Sequence, residues 1–134
     1  MEKKKLAIFA NSDNYSDFRH MLSIIMAATS NGMEVNVFFS HGSLNQLIKE
    51  EPELSENSNP TEKSITIALK NKKIQSHKEI LKMIKETKSV KMFACSSSVA
   101  IMNIAKNELL NVDKIMGLTT FLVIVEQSDT VLYI

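Results

Sequence analysis

Two apolar runs, Leu6-Ala7-Ile8-Phe9-Ala10 and Val35-Asn36-Val37-Phe38-Phe39, flank a helical pattern and decide the fold of this chain. The first run is continuous, which is typical of a strand buried on both faces of a sheet. Between the runs, apolar residues recur at the spacing of one helix face: Phe18, Met21, Leu22 and Ile25. Strand, helix and strand in this order form a βαβ unit, which predicts a parallel sheet with a right-handed crossover.

The rest of the chain continues the alternation. We predict strands at about 5–10, 34–39, 89–94 and 129–134, and a helix that begins at the capping box of Ser76 and Glu79. Residues 50–64 read as a solvated loop, and residues 64–73 fit a short strand or a helical turn equally well. Residues 121–125 have strand composition, so a hairpin into 130–134 competes with a helix over 119–127. The pattern predicts a single domain over residues 1–134, a three-layer α/β/α sandwich with a mainly parallel central sheet.

Composition and charge exclude several classes of protein. The apolar and charged fractions, 44% and 23%, are those of an average globular protein. Sixteen basic against fifteen acidic residues leave a net charge of +1, which argues against nucleic acid or an anionic membrane as a partner. No apolar run reaches the ~18 residues of a membrane span, and the apolar run after the N-terminal lysines is too short for a secretory signal. We therefore expect a cytoplasmic protein.

The one cysteine of the chain lies in the segment Lys91-Met92-Phe93-Ala94-Cys95-Ser96-Ser97-Ser98-Val99. A single cysteine excludes a disulfide within the chain and a Cys-based zinc site. Cys95 is predicted to end a buried strand just before a helix, where outward-pointing N–H groups favour a thiolate over a thiol. Ligand crevices of parallel sheets also lie at the carboxyl ends of strands. A reactive thiol, partly open to solvent, and a small buried inert cysteine both fit this position.

Polar loops after the first two strands are expected to share that edge of the sheet with Cys95. His41 is a candidate partner of the thiolate, although a solvated loop histidine fits the position as well. His20 reads as structural and His77 as solvated, and the three histidines lack the spacing of metal ligands. No phosphate-binding glycine motif is present, so we expect neither a metal nor another cofactor. The candidate binding residues beside Cys95 are Asn11, Ser12, His41, Gly42, Ser96, Ser97 and Ser98.

The strand ending in Phe-Ala-Cys-Ser-x-Ser at 93–98, followed about twenty residues later by Gly117-Leu118-Thr119-Thr120-Phe121-Leu122, resembles the DsrE/DsrF-like family of sulfur-relay proteins. Residues 38–42 and 107–110 are also similar to that family. The resemblance implies a small α/β sandwich in which the segment matching 117–127 is a helix, which removes the hairpin. It also implies a homo-oligomer (a trimer or a dimer), or a complex with paralogous subunits, in which Cys95 carries sulfane sulfur as a persulfide.

The leading hypothesis is therefore a sulfur carrier or sulfurtransferase that accepts sulfur from a donor protein and passes it to an acceptor protein through Cys95. The alternative is a non-catalytic oligomeric scaffold or binding subunit with an inert Cys95. A third hypothesis, a thiol peroxidase or redox sensor, lacks a resolving cysteine in the chain. The helix expected at 99–105 is apolar nearly all round, so we predict self-association through this region.

Overall fold

A computed structural model describes residues 2–52 and 58–134. Its centre is a five-stranded sheet in the order β4-β3-β2-β1-β5, and every neighbouring pair of strands is parallel. The strands are β1 (Lys5–Ala10), β2 (Glu34–Phe39), β3 (Val90–Cys95), β4 (Lys114–Met116) and β5 (Thr130–Tyr133). The predicted parallel sheet is confirmed, and β5 is parallel to β1, so the hairpin alternative is wrong.

Six α-helices and one short 3₁₀ turn connect these strands within the described residues. The helices are α1 (Tyr15–Ser30), α2 (Gly42–Ile48), α3 (Pro60–Lys70), α4 (His77–Glu86), α5 (Ser96–Ile101) and α6 (Leu118–Glu126); the 3₁₀ turn is Lys106–Glu108. Local chemistry explains their ends. The Asn14 side chain accepts N–H bonds at the start of α1, and Gly32 follows its end with a φ of +79°. The Ser76 hydroxyl accepts the Glu79 N–H, as the capping box predicts.

Side chains alternate between the two faces of the sheet and build two separate cores. One face packs against α1, α2 and α4 through residues such as Ile8, Val37 and Met92. The other face, which we call the α6 face, buries Ala7, Phe38, Phe93, Cys95 and Met116 beneath Phe121 of α6. Helices therefore cover both faces, which confirms the three-layer α/β/α sandwich.

Three segments depart from the predicted pattern. Pro60–Lys70 is a helix, so the loop expected at 50–64 ends early and the ambiguous segment 64–73 is mostly helical; residues 53–57 lie outside the described part. Pro60 occupies the first turn, where its missing N–H costs nothing, and the Asn59 side chain caps it. The helix after Cys95 ends at Ile101 rather than at 105, and Asn103 then adopts a positive φ. The short strand β4 was not expected.

Two histidine predictions are wrong. His20 is exposed on α1, whereas His77 is only 1% exposed. The Tyr15 hydroxyl lies 2.8 Å from Nδ1 of His77, and Nε2 of His77 contacts the Lys49 carbonyl oxygen. Because a carbonyl only accepts, Nε2 carries the proton and Nδ1 accepts from the tyrosine. His77 thus joins α1, α4 and the segment after α2.

Among the helices of residues 2–52 and 58–134, none is both long and apolar enough to cross a membrane.

Burial of His77 predicts a loss of stability in mild acid. Desolvation by burial is the main cause that lowers the pKa of His77, and the positive charges of Arg19 and Lys78 lower it further. The hydrogen bond to the Lys49 backbone acts in the opposite direction and raises the pKa. The pKa of a histidine in the unfolded chain is near 6.5. Below that pH the unfolded chain binds a proton at His77 that the folded chain does not bind, so the free energy of unfolding falls as the pH falls. In urea unfolding between pH 7.5 and 5.5, the unfolding free energy should fall with a slope of at most about 1.4 kcal/mol per pH unit from this group.

His77→Gln should flatten the slope and His20→Gln should keep it. Equal slopes in both variants would contradict this assignment.

Phe121 is the residue that attaches α6 to the sheet. Its ring stacks on Phe38 with centroids 4.7 Å apart, meets Phe9 edge-on at 5.2 Å and lies 6.0 Å from Phe93. It is the buried residue of α6, whereas Leu118, Leu122 and Val123 are exposed. Aromatic clusters of this kind contribute burial and ring–ring attraction together.

We expect Phe121→Ala to lower the unfolding free energy by about 3–5 kcal/mol, because a large buried ring leaves a cavity. Ile67→Ala on α3, where the side chain is 57% exposed, is the control and should change it by about 0.5 kcal/mol or less. Urea denaturation at pH 7.5 measures both. A Phe121→Ala cost no larger than that of the control would show that α6 is held by something else.

Candidate functional site

Cys95 is the last residue of β3 and directly precedes the first turn of α5. The predicted strand-to-helix junction is therefore present. Cys95 also pairs with Met116, the last residue of β4, and Gly117 then caps α6. Two helices thus begin side by side at this edge of the sheet. A Cβ placed on Gly117 would lie 3.7 Å from the Ser96 hydroxyl oxygen, which shows how close the two starts are.

The Cys95 side chain is mostly buried, so the expectation of a thiol partly open to solvent is not met in the single chain. Cys95 is 9% exposed and packs on the α6 face with Met116 and Phe121. The cause is the alternation of β3, which turns residue 95 to the side that α6 covers. Ser96, Ser97 and Leu118, which follow the two strand ends, are exposed. Cys95 is therefore a buried residue that exposed residues follow directly along the chain.

The three serines after Cys95 differ in their surroundings. Ser96 and Ser97 are exposed at the start of α5, whereas Ser98 is fully buried. The Ser98 hydroxyl accepts the His41 backbone N–H at 3.0 Å and lies 3.3 Å from His41 Nδ1. Ser98 thus holds the loop after β2 against α5. This contact brings two of the predicted site residues together.

The polar side chains of the loop after β1 form hydrogen bonds with nearby residues of the loops and of α1. The Ser12 hydroxyl donates to Asp17 and accepts the Asn14 N–H, and the Asn11 side chain accepts from Ser40. Within the described residues, no hydrogen bond joins Asn11, Ser12 or His41 to Cys95. These loops lie along the carboxyl edge of the sheet, and their hydrogen bonds connect them to each other.

Gly42 has a packing role that requires a small residue. A Cβ on Gly42 would approach the Asp13 Cβ to 2.4 Å and its backbone atoms to 2.7 and 2.8 Å. The loops after β1 and β2 are therefore in direct backbone contact. This close approach explains the glycine at position 42 without assigning it a ligand.

Cys95 packs with residues that sequence reasoning did not select as site residues. Met116, Gly117 and Phe121 lie around the cysteine because β4 brings the start of α6 beside β3. The sequence pattern and the family resemblance indicated secondary structure for the segment from Gly117 to Leu122, but neither predicted its contact with Cys95. The described residues also contain no group of three or more His, Cys, Asp or Glu side chains arranged to bind a metal ion.

The two neighbouring serines provide a matched pair of variants. Ser98→Ala should lower the unfolding free energy by about 1–3 kcal/mol, because it leaves the His41 N–H without its acceptor. Ser97→Ala, at the exposed neighbouring position, should change it by about 0.5 kcal/mol or less. Urea denaturation compares them. If Ser98→Ala proved as mild as Ser97→Ala, the hydroxyl bridge would not hold this loop.

Comparison with solved structures shows the same fold in proteins of low sequence identity. The ychN protein from E. coli is 16% identical, covers 98% of this chain and 99% of its own, and gives a TM-score of 0.58. Protein MTH1491 of unknown function from Methanobacterium thermoautotrophicum is 12% identical, with 97% and 99% coverage and a TM-score of 0.62. Protein BT1422 of unknown function from Bacteroides thetaiotaomicron is 13% identical, with 98% and 95% coverage and a TM-score of 0.63.

Among curated proteins, none matches the sequence. The model of the DsrE/DsrF-like family, in contrast, matches residues 4–134, nearly the whole chain and all of the sheet described above. The resemblance noted from the cysteine segment is confirmed: this chain belongs to the DsrE/DsrF-like family.

Proposed function

We propose that the protein is a cytoplasmic sulfur carrier that holds sulfane sulfur as a persulfide on Cys95. The observation that carries the proposal is the place of the only thiol in the chain, at the carboxyl end of β3 beside the starts of α5 and α6. Helix starts present N–H groups and partial positive charge, which stabilise a thiolate or a persulfide anion. Membership of the DsrE/DsrF-like family supports the same function.

The transfer needs two displacement steps and no oxidant. The Cys95 thiolate attacks the outer sulfur of a donor persulfide, the donor S–S bond breaks, and the donor leaves as a thiolate while Cys95 becomes a persulfide. An acceptor thiolate then attacks the outer sulfur of that persulfide, and the Cys95 thiolate is released. One cysteine per chain is sufficient, because both other thiols belong to the partners.

Burial of Cys95 favours the alternative function, a non-catalytic oligomeric scaffold or binding subunit with an inert thiol. The two functions differ in whether a donor persulfide reaches the sulfur. Ser96, Ser97 and Leu118, which follow the ends of β3 and β4, are exposed, so we infer that a partner approaches the sulfur at the junction of α5 and α6.

Sulfur loading tests the proposal. After incubation with a small-molecule polysulfide under native conditions, mass spectrometry should show the gain of one sulfur mass on Cys95, reversed by a reductant. Cys95→Ser, nearly isosteric, should keep the fold and lose the gain completely. Ile67→Ala, at the exposed position on α3, is the control and should load like the wild type. Failure of the wild type to load, with the fold intact, would favour the scaffold.

We also propose that the chain works as a homo-oligomer, a dimer or a trimer, and that the interface is an apolar surface on α6 and β5. This surface, which we call the α6–β5 surface, consists of exposed side chains: Leu118, Leu122, Val123, Val131 and Tyr133. It is continuous, because Tyr133 stacks on Phe9, which meets Phe121 of α6. Exposed apolar side chains grouped in this way are typical of interaction sites.

The region around 99–105, where the interface was expected, exposes fewer apolar side chains than α6 and β5 do. Val99, Met102 and Ile104 pack against the core of the α1 side, and only Ile101 and the nearby Leu110 are strongly exposed. A second copy of this chain is the occupant that an apolar surface on a β-sheet edge favours, because β5 is an edge strand with an unpaired backbone.

Light scattering at micromolar concentration tests the interface. The wild type should have a mass of two or three times 15.1 kDa. Val123→Glu, at a position 54% exposed, should shift it towards the monomer, because a charge would be buried in the interface. Ile67→Glu, similarly exposed on α3, should leave the mass unchanged. A monomeric wild type would rule this interface out.

A further inference from the structure

A cavity opens on the α6 face at the opposite end from Cys95. It has a volume of about 560 Å³ and lies where β1, β2 and β3 begin. Its floor includes Asn36 and Phe93, and Ile124 and Gln127 from the last turn of α6 form one side. Lys91, which lines this cavity, lies four positions before Cys95 along β3, a distance of about 13 Å. We call it the lysine cleft.

Strand register explains why the lysine cleft is open. On the α6 face, Lys5 lies beside Glu34, Asn36 beside Lys91, and Phe38 beside Phe93. Phe121 packs on the phenylalanine row, so α6 covers that row. The two preceding rows carry charged and amide side chains, and they line the cavity rather than a core.

The charge of the lysine cleft is strongly unbalanced. Lys3, Lys5, Lys88 and Lys91 line it, against a single carboxylate, Glu34. Within residues 2–52 and 58–134, the ion pairs are Lys4–Asp129, Lys78–Glu50 and Lys85–Asp113, so the four ammonium groups have no carboxylate within 4 Å. The whole chain has a net charge of only +1, so this concentration of positive charge is local.

Asn36 adds hydrogen-bonding capacity at the centre of the cleft. It is a partly exposed amide on β2, a strand with neighbours on both sides. In the described part of the chain its side chain has no hydrogen-bond partner, which leaves two donors and an acceptor for a ligand. A polar amide on a central strand, where an apolar residue would extend the core, is consistent with a binding role.

We propose that the lysine cleft binds a compact polyanion, a small molecule that carries phosphate groups or several carboxylates. Lysine ammonium groups bind phosphate and carboxylate oxygens as point charges, and the amides of Asn36 and Gln127 donate to the same oxygens. The volume lies within the range of small-molecule sites, about 300–1,000 Å³. Ile124, which is partly exposed at the side of the cleft, provides an apolar contact for the carbon part of such a ligand.

NMR titration of the full chain tests the lysine cleft independently of sulfur transfer. Sodium pyrophosphate, citrate and sodium chloride are added to the ¹⁵N-labelled protein at matched ionic strength. We expect saturable shifts at residues 3–5, 34–36 and 88–91 with at least one of the two polyanions. Tighter binding of pyrophosphate assigns phosphorylated ligands, and tighter binding of citrate assigns polycarboxylates. Shifts no different from those with chloride would overturn the proposal.

Paired variants separate a site from general attraction to lysines. Lys5→Gln with Lys91→Gln should weaken binding about tenfold or more, because two charged donors are lost. Lys70→Gln with Lys73→Gln removes the same charge from another lysine cluster and should leave the affinity within about twofold. Equal weakening by both pairs would overturn the proposal.

A further variant guards against misfolding of the first pair. Lys88 has a φ of +60°, so Lys88→Gly should not destabilise the chain. It should nevertheless weaken the binding of the same probe. Unchanged binding by a well-folded Lys88→Gly, together with unchanged binding by the Lys5 and Lys91 pair, would also contradict the assignment.

Discussion

The packing of one ring, Phe121, on the aromatic row of the sheet determines the shape of the second half of this molecule. Three strands and a nine-residue helix meet at that ring, which stacks on Phe38 and contacts Phe9 and Phe93. The contact fixes α6 over the centre of the sheet. It thereby places the start of α6 beside Cys95, and α6 buries the thiol.

A single short helix covers less of the sheet than the helices of the other face do. On the α1 side, α1, α2 and α4 pack on the central strands, and the side chains there form the larger core. On the α6 face, the sheet extends beyond the helix. The uncovered parts have different chemistry: the α6–β5 surface is apolar, whereas the lysine cleft at the strand starts is basic. Each uncovered part therefore suits a different kind of partner.

The sequence predicts the elements of this fold better than it predicts contacts between them. Long apolar runs and helical spacing locate four strands and α1 and α4, because these signals are local, whereas α6 was expected only from the family resemblance. The strand β4 has only three residues, too few for a pattern, and α3 was missed because prolines and polar residues obscured the Asn59–Pro60 start. The burial of His77 depends on Tyr15, 62 residues away, and on Lys49, 28 residues away.

At the candidate site, too, the sequence predicts local features but not the contacts between distant segments. The junction at Cys95 follows from local pattern, but its burial depends on α6, whose position follows from the β3–β4 pairing and from Phe121. The hydroxyl of Ser98 binds His41 across 57 residues, a contact that no spacing indicates. Among the expected rim residues, the structure therefore assigns Ser98, Gly42 and Ser12 to holding loops together.

The central claim is that the Cys95 sulfur is chemically available in the folded protein despite its cover. The direct measurement is alkylation of the native protein by iodoacetamide at neutral pH, followed by mass spectrometry and compared with the same reaction in urea. The account predicts complete, single modification of Cys95 without denaturant, in a protein that keeps its fold. Modification that occurs only after unfolding would contradict it and would leave Cys95 as an inert part of the core.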